Sequence, residues 1–214
     1  MKLKKEDMLL YAVTDRCWVG KLSLTEQVEA TLKGGATCIQ LREKELDYES
    51  FLKEAIEIAT LCKKYNVPFI INDNVDIAIK CGADGIHVGQ DDMNVKEVRA
   101  LVGEKMIIGV SAQSVEQAKL AEREGADYLG VGAVFSTTTK LDANSVSHET
   151  LKEICQNVNI PVVAIGGINK NNISKLCGTG ICGVALVSAI FASENIEKES
   201  KILKELSYKA VHND

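Results

Sequence analysis

The sequence predicts an α/β protein: a single (β/α)8 TIM-type barrel spanning residues 1–214, with its active site at the C-terminal ends of the strands. Short Ile/Val-rich runs alternate with amphipathic helical patterns along the chain. Several runs are continuously apolar, as strands of a parallel sheet buried on both faces must be: Phe69-Ile70-Ile71, Val162-Val163-Ala164-Ile165 and Val184-Ala185-Leu186-Val187. Polar residues capable of chemistry cluster just after these runs, at the end of the barrel where such folds place their sites.

Strands are expected at residues 9–14, 38–42, 69–72, 85–89, 107–111, 128–132, 162–166 and 184–188. Between them, Phe51, Leu52, Ala55, Ile56, Ala59 and Cys62 form one apolar stripe at helical spacing. Ser23-x-x-Glu26 and Ser114-x-x-Gln117 read as capping boxes, and residues 196–208 carry the charge alternation of an exposed helix. A weak repeat, Gly35-Ala36-Thr37, Gly82-Ala83-Asp84 and Gly125-Ala126-Asp127, precedes three of the strands. Its glycine can end the preceding helix in the left-handed conformation. An open doubly wound sheet is the alternative fold. It is disfavoured because Thr14-Asp15-Arg16, and not a G-x-G-x-x-G turn, follows the first strand. The stretch Cys177-Gly178-Thr179-Gly180-Ile181-Cys182 suggests no function by its sequence.

Composition excludes several classes. At 46% hydrophobic and 26% charged, with only 2 Pro, the 214 residues suit one globular domain. The net charge is −5 and no Lys/Arg run resembles a nucleic-acid footprint, so a basic surface can only be local, as in a phosphate pocket. The 7 cysteines form no C-x-x-C pair and the 3 histidines are scattered, which argues for reduced thiols and against a zinc site. No window approaches the roughly 20 apolar residues of a membrane span, and no signal peptide is apparent. A cytoplasmic protein is expected.

The strand-end residues carry the chemistry. After the second strand comes Gln40-Leu41-Arg42-Glu43-Lys44, in which alternation sends Gln40 and Arg42 to one face and Leu41 to the other. An Arg fork and a mobile Lys suit phosphate; an ordinary salt-bridged strand end is the plain alternative. Asp73 after the third strand and Asp92 after the fourth could point at one centre and hold Mg2+ through oxygen; each could equally be a helix N-cap. Asp91 reads as a cap or a solvent-facing residue, and His87 as a packed, hydrogen-bonded barrel histidine before it reads as a base. Ser111 ends the fifth strand, either as a turn hydroxyl or as a donor to phosphate. After the sixth strand, Thr137, Thr138, Thr139 and Lys140 suit an anion; a solvated loop is the alternative. Gly166-Gly167 and Val187-Ser188 follow the last two strands, where barrels frequently bind phosphate. Two anion sites would then open on one face, suiting two phosphorylated substrates.

These segments, with Tyr11-Ala12-Val13-Thr14-Asp15, Ile71-Asn72-Asp73, His87-Val88-Gly89-Gln90-Asp91-Asp92 and Ile165-Gly166-Gly167-Ile168, resemble the thiamine-phosphate synthase family over nearly the whole chain. The resemblance implies a Mg2+-dependent transferase that joins an aminopyrimidine diphosphate to a thiazole phosphate. It implies that Gln40, Leu41, Arg42, Glu43, Lys44 and Asn72 hold the pyrimidine substrate, with Ser111 and Lys140 on its diphosphate. It also implies that Asp73 and Asp92 ligate the metal, and that Thr137 to Thr139, Gly167, Val187 and Ser188 bind the thiazole phosphate. Arg42, Lys44, Ser111 and Lys140 would stabilise the departing charge. The family's loop reads Pro-Thr-x-Thr-Lys, and Ser136 stands here in place of the Pro. The competing expectations are a thiazole tautomerase-like sister barrel and a non-catalytic phosphate-sensing barrel.

Overall fold

The structure, a computed structural model, describes residues 3–136 and 145–212. Eight parallel strands close into a barrel in sequence order: β1 (Leu10–Val13), β2 (Cys38–Leu41), β3 (Phe69–Asn72), β4 (Gly85–Val88), β5 (Ile107–Ala112), β6 (Tyr128–Val131), β7 (Val162–Ile165) and β8 (Gly183–Leu186). β1 pairs with both β2 and β8, so no edge is left open.

Strand alternation divides the apolar residues into two layers. Outward residues such as Leu10, Ile39, Leu41, Ile71, Ile86, Ile108 and Leu129 pack beneath the helices. Inward residues Tyr11, Val13, Cys38, Ile70, Ile107, Tyr128, Val163 and Ala185 fill the barrel, and Met8 closes its lower end from a 3-10 turn at Lys5–Met8. Among the described residues the upper mouth of the barrel stays open as a cavity.

The outer ring is α1 (Leu24–Lys33), α2 (Tyr48–Tyr65), α3 (Val75–Cys81), α4 (Val95–Val102), α5 (Val115–Arg123), α6 (His148–Asn157), the short α7 (Ser188–Phe191) and α8 (Ile196–His212). Ser23 and Glu26 form the expected capping box of α1. Ser114 caps α5, but the Gln117 side chain accepts the N–H of Gln113, one residue earlier than a capping box requires. On α2 the buried face is Phe51, Ala55, Ile58 and Cys62, while Ile56 is exposed. Leu52 and Ala59 are half-buried against the core, so of the expected stripe it is Ile56 that falls on the solvent side.

The β7–β8 crossover departs from the expected strand–helix alternation, carrying only a 3-10 turn at Ile173–Leu176. Its asparagines bond locally instead: Asn169 accepts the N–H of Asn171, and Asn172 accepts that of Asn169. Side-chain bonds of this kind compete with helix formation.

The weak sequence repeat proves to be fourfold. The N–H groups of Thr37, Asp84, Asp127 and Cys182 donate to backbone carbonyls at the starts of the preceding strands, those of Leu10, Phe69, Ile108 and Val162, over 2.9, 2.9, 2.7 and 2.9 Å. The side chains of Thr37, Asp84 and Asp127 accept the N–H of Leu10, Phe69 and Ile108 in return, and the Cys182 thiol donates to the Val162 carbonyl. Gly180-Ile181-Cys182 is therefore the fourth copy, and Gly180 has φ 90° as Gly35 has 93°. This gives the Cys177–Cys182 stretch a structural role at the foot of the barrel. Asp127→Ala would strand the buried Ile108 N–H and release Arg99, which pairs with Asp127 at 2.7 Å. A loss of about 1–3 kcal/mol is expected in urea unfolding; a change below about 0.5 kcal/mol, the scale of an ordinary surface substitution, would contradict this role.

Candidate active site

The mouth cavity holds about 320 Å³ and is lined from every strand of the barrel. On the β2 side, Gln40, Arg42 and Lys44 face it. Arg42 is aimed by the first loop: its backbone N–H donates to the Thr14 hydroxyl at 3.0 Å and its guanidinium bonds Asp15 at 3.3 Å. Lys44 pairs with Asp73.

The side chains of Leu41 and Glu43 do not reach the cavity, so any contact they make with a ligand runs through main chain. The pleat turns Leu41 into the outer core, fully buried. Glu43 is folded back into its own loop, accepting the N–H groups of Lys44, Glu45 and Leu46 at 2.8, 2.6 and 3.1 Å and pairing with Arg16 at 2.5 Å. Burial pushes its carboxyl up, but the bonds from Glu45, Arg16 and Leu46 outweigh that and hold it below the usual range. The turn that presents Lys44 is built around this carboxylate.

Asn72, Asp73 and Asp92 line the adjoining wall. Neither aspartate caps a helix: Asn74 caps α3 and Asn94 caps α4. Asp73 takes a left-handed φ of 63°, and its N–H donates to the His87 carbonyl at 2.8 Å. Asp92 accepts the Gly89 N–H at 2.7 Å. The two carboxyls act on each other: burial pushes Asp73 above its ordinary range, Lys44 opposes this, and Asp92 reinforces it. Two carboxyl groups brought together beneath a lysine form an all-oxygen donor set, the kind that suits Mg2+ completed by water and substrate phosphate. Among the described residues no group of three or more His, Cys, Asp or Glu could hold a metal alone, so the fit depends on substrate oxygens. Asp91 is exposed at the rim.

Ser111 lines the mouth and Gln90 bonds its carbonyl at 2.6 Å. Below it a buried polar chain crosses the barrel. Ser111 Oγ lies 3.0 Å from His87 Nε2, and His87 Nδ1 lies 3.0 Å from the Tyr128 hydroxyl. Tyr128 is 2.7 Å from the Tyr11 hydroxyl, which Gln40 reaches at 2.7 Å. Burial pushes both phenols well above their ordinary range, so they keep their protons. His87 is thus a packed, bonded barrel histidine that also lines the cavity. Tyr11, Tyr128, Asp15 and Gln90 were not singled out as site residues from sequence. The inward phase of β6 and a glycine, Gly109, at its register partner were the available signals for Tyr128.

Gly167, Val187 and Ser188 close the far side. Gly167 has φ 66°, and a Cβ there would come 2.4 Å from the Ser136 carbonyl, so only glycine fits this close approach. Ser188 opens the short α7. Thr137, Thr138, Thr139 and Lys140 lie outside the described residues.

A closed parallel barrel whose one open end gathers an arginine, a lysine, paired carboxyls and close-packed strand-end glycines belongs to the TIM-type barrel enzymes that act on phosphorylated substrates. The comparisons narrow the class. Residues 10–190 match the family described as Thiamine monophosphate synthase. A thiamine-phosphate synthase of Clostridium botulinum is 50% identical over 201 residues, covering 94% of each chain. One from Methanobrevibacter smithii is 48% identical over 202 residues, covering 91% of this chain and 96% of its own. The solved thiamine phosphate pyrophosphorylase of Pyrococcus furiosus superposes with a TM-score of 0.90 at 36% identity, covering 97% of this chain and 98% of that one. The chain belongs to the thiamine monophosphate synthase family, a family of transferases.

Proposed function

We propose that the chain joins 4-amino-2-methyl-5-(diphosphooxymethyl)pyrimidine to 4-methyl-5-(2-phosphooxyethyl)thiazole, giving thiamine phosphate and diphosphate. The observation that carries the reading is the convergence of Arg42, Lys44, Asp73, Asp92 and Ser111 on one wall of a single cavity, opposite Gly167, Val187 and Ser188.

The bond from the pyrimidine's methylene carbon to the diphosphate oxygen breaks, and its electron pair leaves with diphosphate. The aminopyrimidine delocalises the cation, and the thiazole nitrogen then forms the new C–N bond. Gln40 and Asn72 hold the pyrimidine. Arg42, fixed by Thr14 and Asp15, and Lys44, presented by the Glu43 turn, stabilise charge developing on the leaving group. Ser111 and Lys140 contact the same diphosphate. Mg2+, held by Asp73 and Asp92, would add electrostatic stabilisation of that leaving group. Gly167, Val187, Ser188 and Thr137 to Thr139 hold the thiazole phosphate, and holding both substrates in register contributes roughly 7–11 kcal/mol. No protein nucleophile takes part.

Both partners are phosphorylated small molecules. Among the described residues no helix is long and apolar enough to cross a membrane. The seven cysteines are unpaired, which supports a reducing, cytoplasmic setting. The test is incubation with both substrates and Mg2+. Thiamine phosphate and diphosphate should appear in equal amounts; no coupled product under any divalent ion would overturn the assignment, and isomerised thiazole alone would point to the sister activity.

A further inference from the structure

The buried chain below Ser111 has a direction, and the direction follows from counting hydrogens. The Gln40 amide nitrogen donates to the Tyr11 hydroxyl at 2.7 Å. Tyr11 has one hydrogen, and its next contact is Tyr128 at 2.7 Å, so it donates there. Tyr128 has then accepted a bond, and its own hydrogen goes to His87 Nδ1 at 3.0 Å. A nitrogen that accepts is unprotonated, which leaves the hydrogen of a neutral imidazole on Nε2, 3.0 Å from Ser111 Oγ. Ser111 accepts that bond, and its own hydroxyl hydrogen is turned toward the cavity that its residue lines. Tyr11, Tyr128 and Gln40 are at most 4% exposed, and Tyr11, Gln40, His87 and Ser111 carry the chain up to the cavity that they line.

We propose that Gln40, Tyr11, Tyr128 and His87 form a one-way hydrogen-bond chain that fixes His87 as its Nε2–H tautomer and turns the Ser111 hydroxyl hydrogen toward the bound diphosphate. Tyr11 and Tyr128 are thereby positioning residues for the transfer, though they touch no reacting atom. The proposal rests on the functional reading above for the identity of the anion; the tautomer itself does not. Chains of this kind polarise in the direction they donate, so charge building on a phosphate oxygen strengthens every link below it. The opposite chain, with the Gln40 carbonyl accepting from Tyr11, would put the hydrogen on Nδ1 and make Ser111 donate inward, away from substrate. The two arrangements use the same atoms and differ only in their hydrogens.

The nitrogen-15 NMR spectrum of the full-length chain reads the difference directly, with the His87 ring assigned by comparison with His87→Asn. The expected wild-type spectrum has a protonated Nε2 and an unprotonated Nδ1. In Tyr128→Phe that preference should collapse to a mixture of tautomers. Turnover should fall about tenfold, the scale of one lost hydrogen bond to a reacting charge, with KM moving far less. Tyr11→Phe and the double variant should show a similar loss and not a multiplied one, because the links act as a unit. A wild-type proton on Nδ1 or on both nitrogens overturns the direction, and this measurement needs no variant to fold. Turnover in both single variants within twofold of wild type, or losses that multiply, overturns the positioning role. The spectrum is taken without substrates. An enzyme that shows the Nε2–H form but makes no thiamine phosphate would therefore refute the assigned reaction and, with it, the role in turnover, while the chain's direction would stand.

Discussion

Asp92→Ala is expected to cut turnover by about 10²–10³-fold, the scale of removing one preorganised group that stabilises developing charge. The fold should survive. Asp92 lies at the exposed rim, where it accepts the Gly89 N–H at 2.7 Å; losing that bond costs about 1 kcal/mol. Part of that is offset, because Asp73 no longer shares its site with a second carboxyl and keeps Lys44 as its partner. The variant should therefore unfold near the wild-type midpoint and still bind the thiazole phosphate on the Gly167 side. The magnesium concentration for half-maximal rate should rise steeply. Wild-type turnover at saturating magnesium would remove Asp92 from the metal role, and a lost thermal transition would show that its contribution is structural. Asp92→Asn separates charge from shape: it preserves the acceptor for Gly89 and should still lose most of the rate.

The barrel was legible because a parallel sheet with both faces covered writes its strands as continuous apolar runs, and all eight observed strands fall on the expected ones. Their ends moved by one or two residues; Thr14 and Arg42, just past β1 and β2, bond across the two strand ends, Thr14 N–H to the Gln40 carbonyl and Arg42 N–H to the Thr14 hydroxyl. The β7–β8 crossover was harder to read, because Asn169, Asn171 and Asn172 leave open which local bonds they will choose. At the mouth, Arg42, Asp73 and Asp92 stood out because charged residues directly after buried strands have few places to point. Glu43 looked the same in sequence, yet its carboxylate is used inside its own turn together with Arg16, a long-range pairing that periodicity does not carry. Tyr128 was hidden for the opposite reason. An aromatic at the start of a strand reads as ordinary core, and only the closed ring brings it to Tyr11 on one side and His87 on the other.

Gly109→Ala tests how tightly that ring holds the site. Gly109 is the register partner of Tyr128, and a Cβ there would come 2.1 Å from the ring carbon that bears the hydroxyl and 2.3 Å from the hydroxyl oxygen. The contact cannot be relieved by a small rotation, because Tyr11 and His87 rings stand 5.8 and 5.5 Å from the Tyr128 ring centre. Overpacking of this kind costs about 1–3 kcal/mol or more, and each kcal/mol lowers Tm by about 2–4 °C in a chain of this size. Whatever shift lets the methyl in also pulls the Tyr128 hydroxyl off His87, so activity should fall further than stability alone accounts for. Tyr128→Leu removes the obstacle, and the pair of substitutions together should then be more stable than Gly109→Ala alone, a coupling that a double-mutant cycle isolates. Turnover should not return with the stability, because the hydroxyl is gone. If Gly109→Ala keeps the wild-type Tm and rate, the barrel interior is looser than these contacts imply; if the double variant regains the rate, the Tyr128 hydroxyl has no part in it.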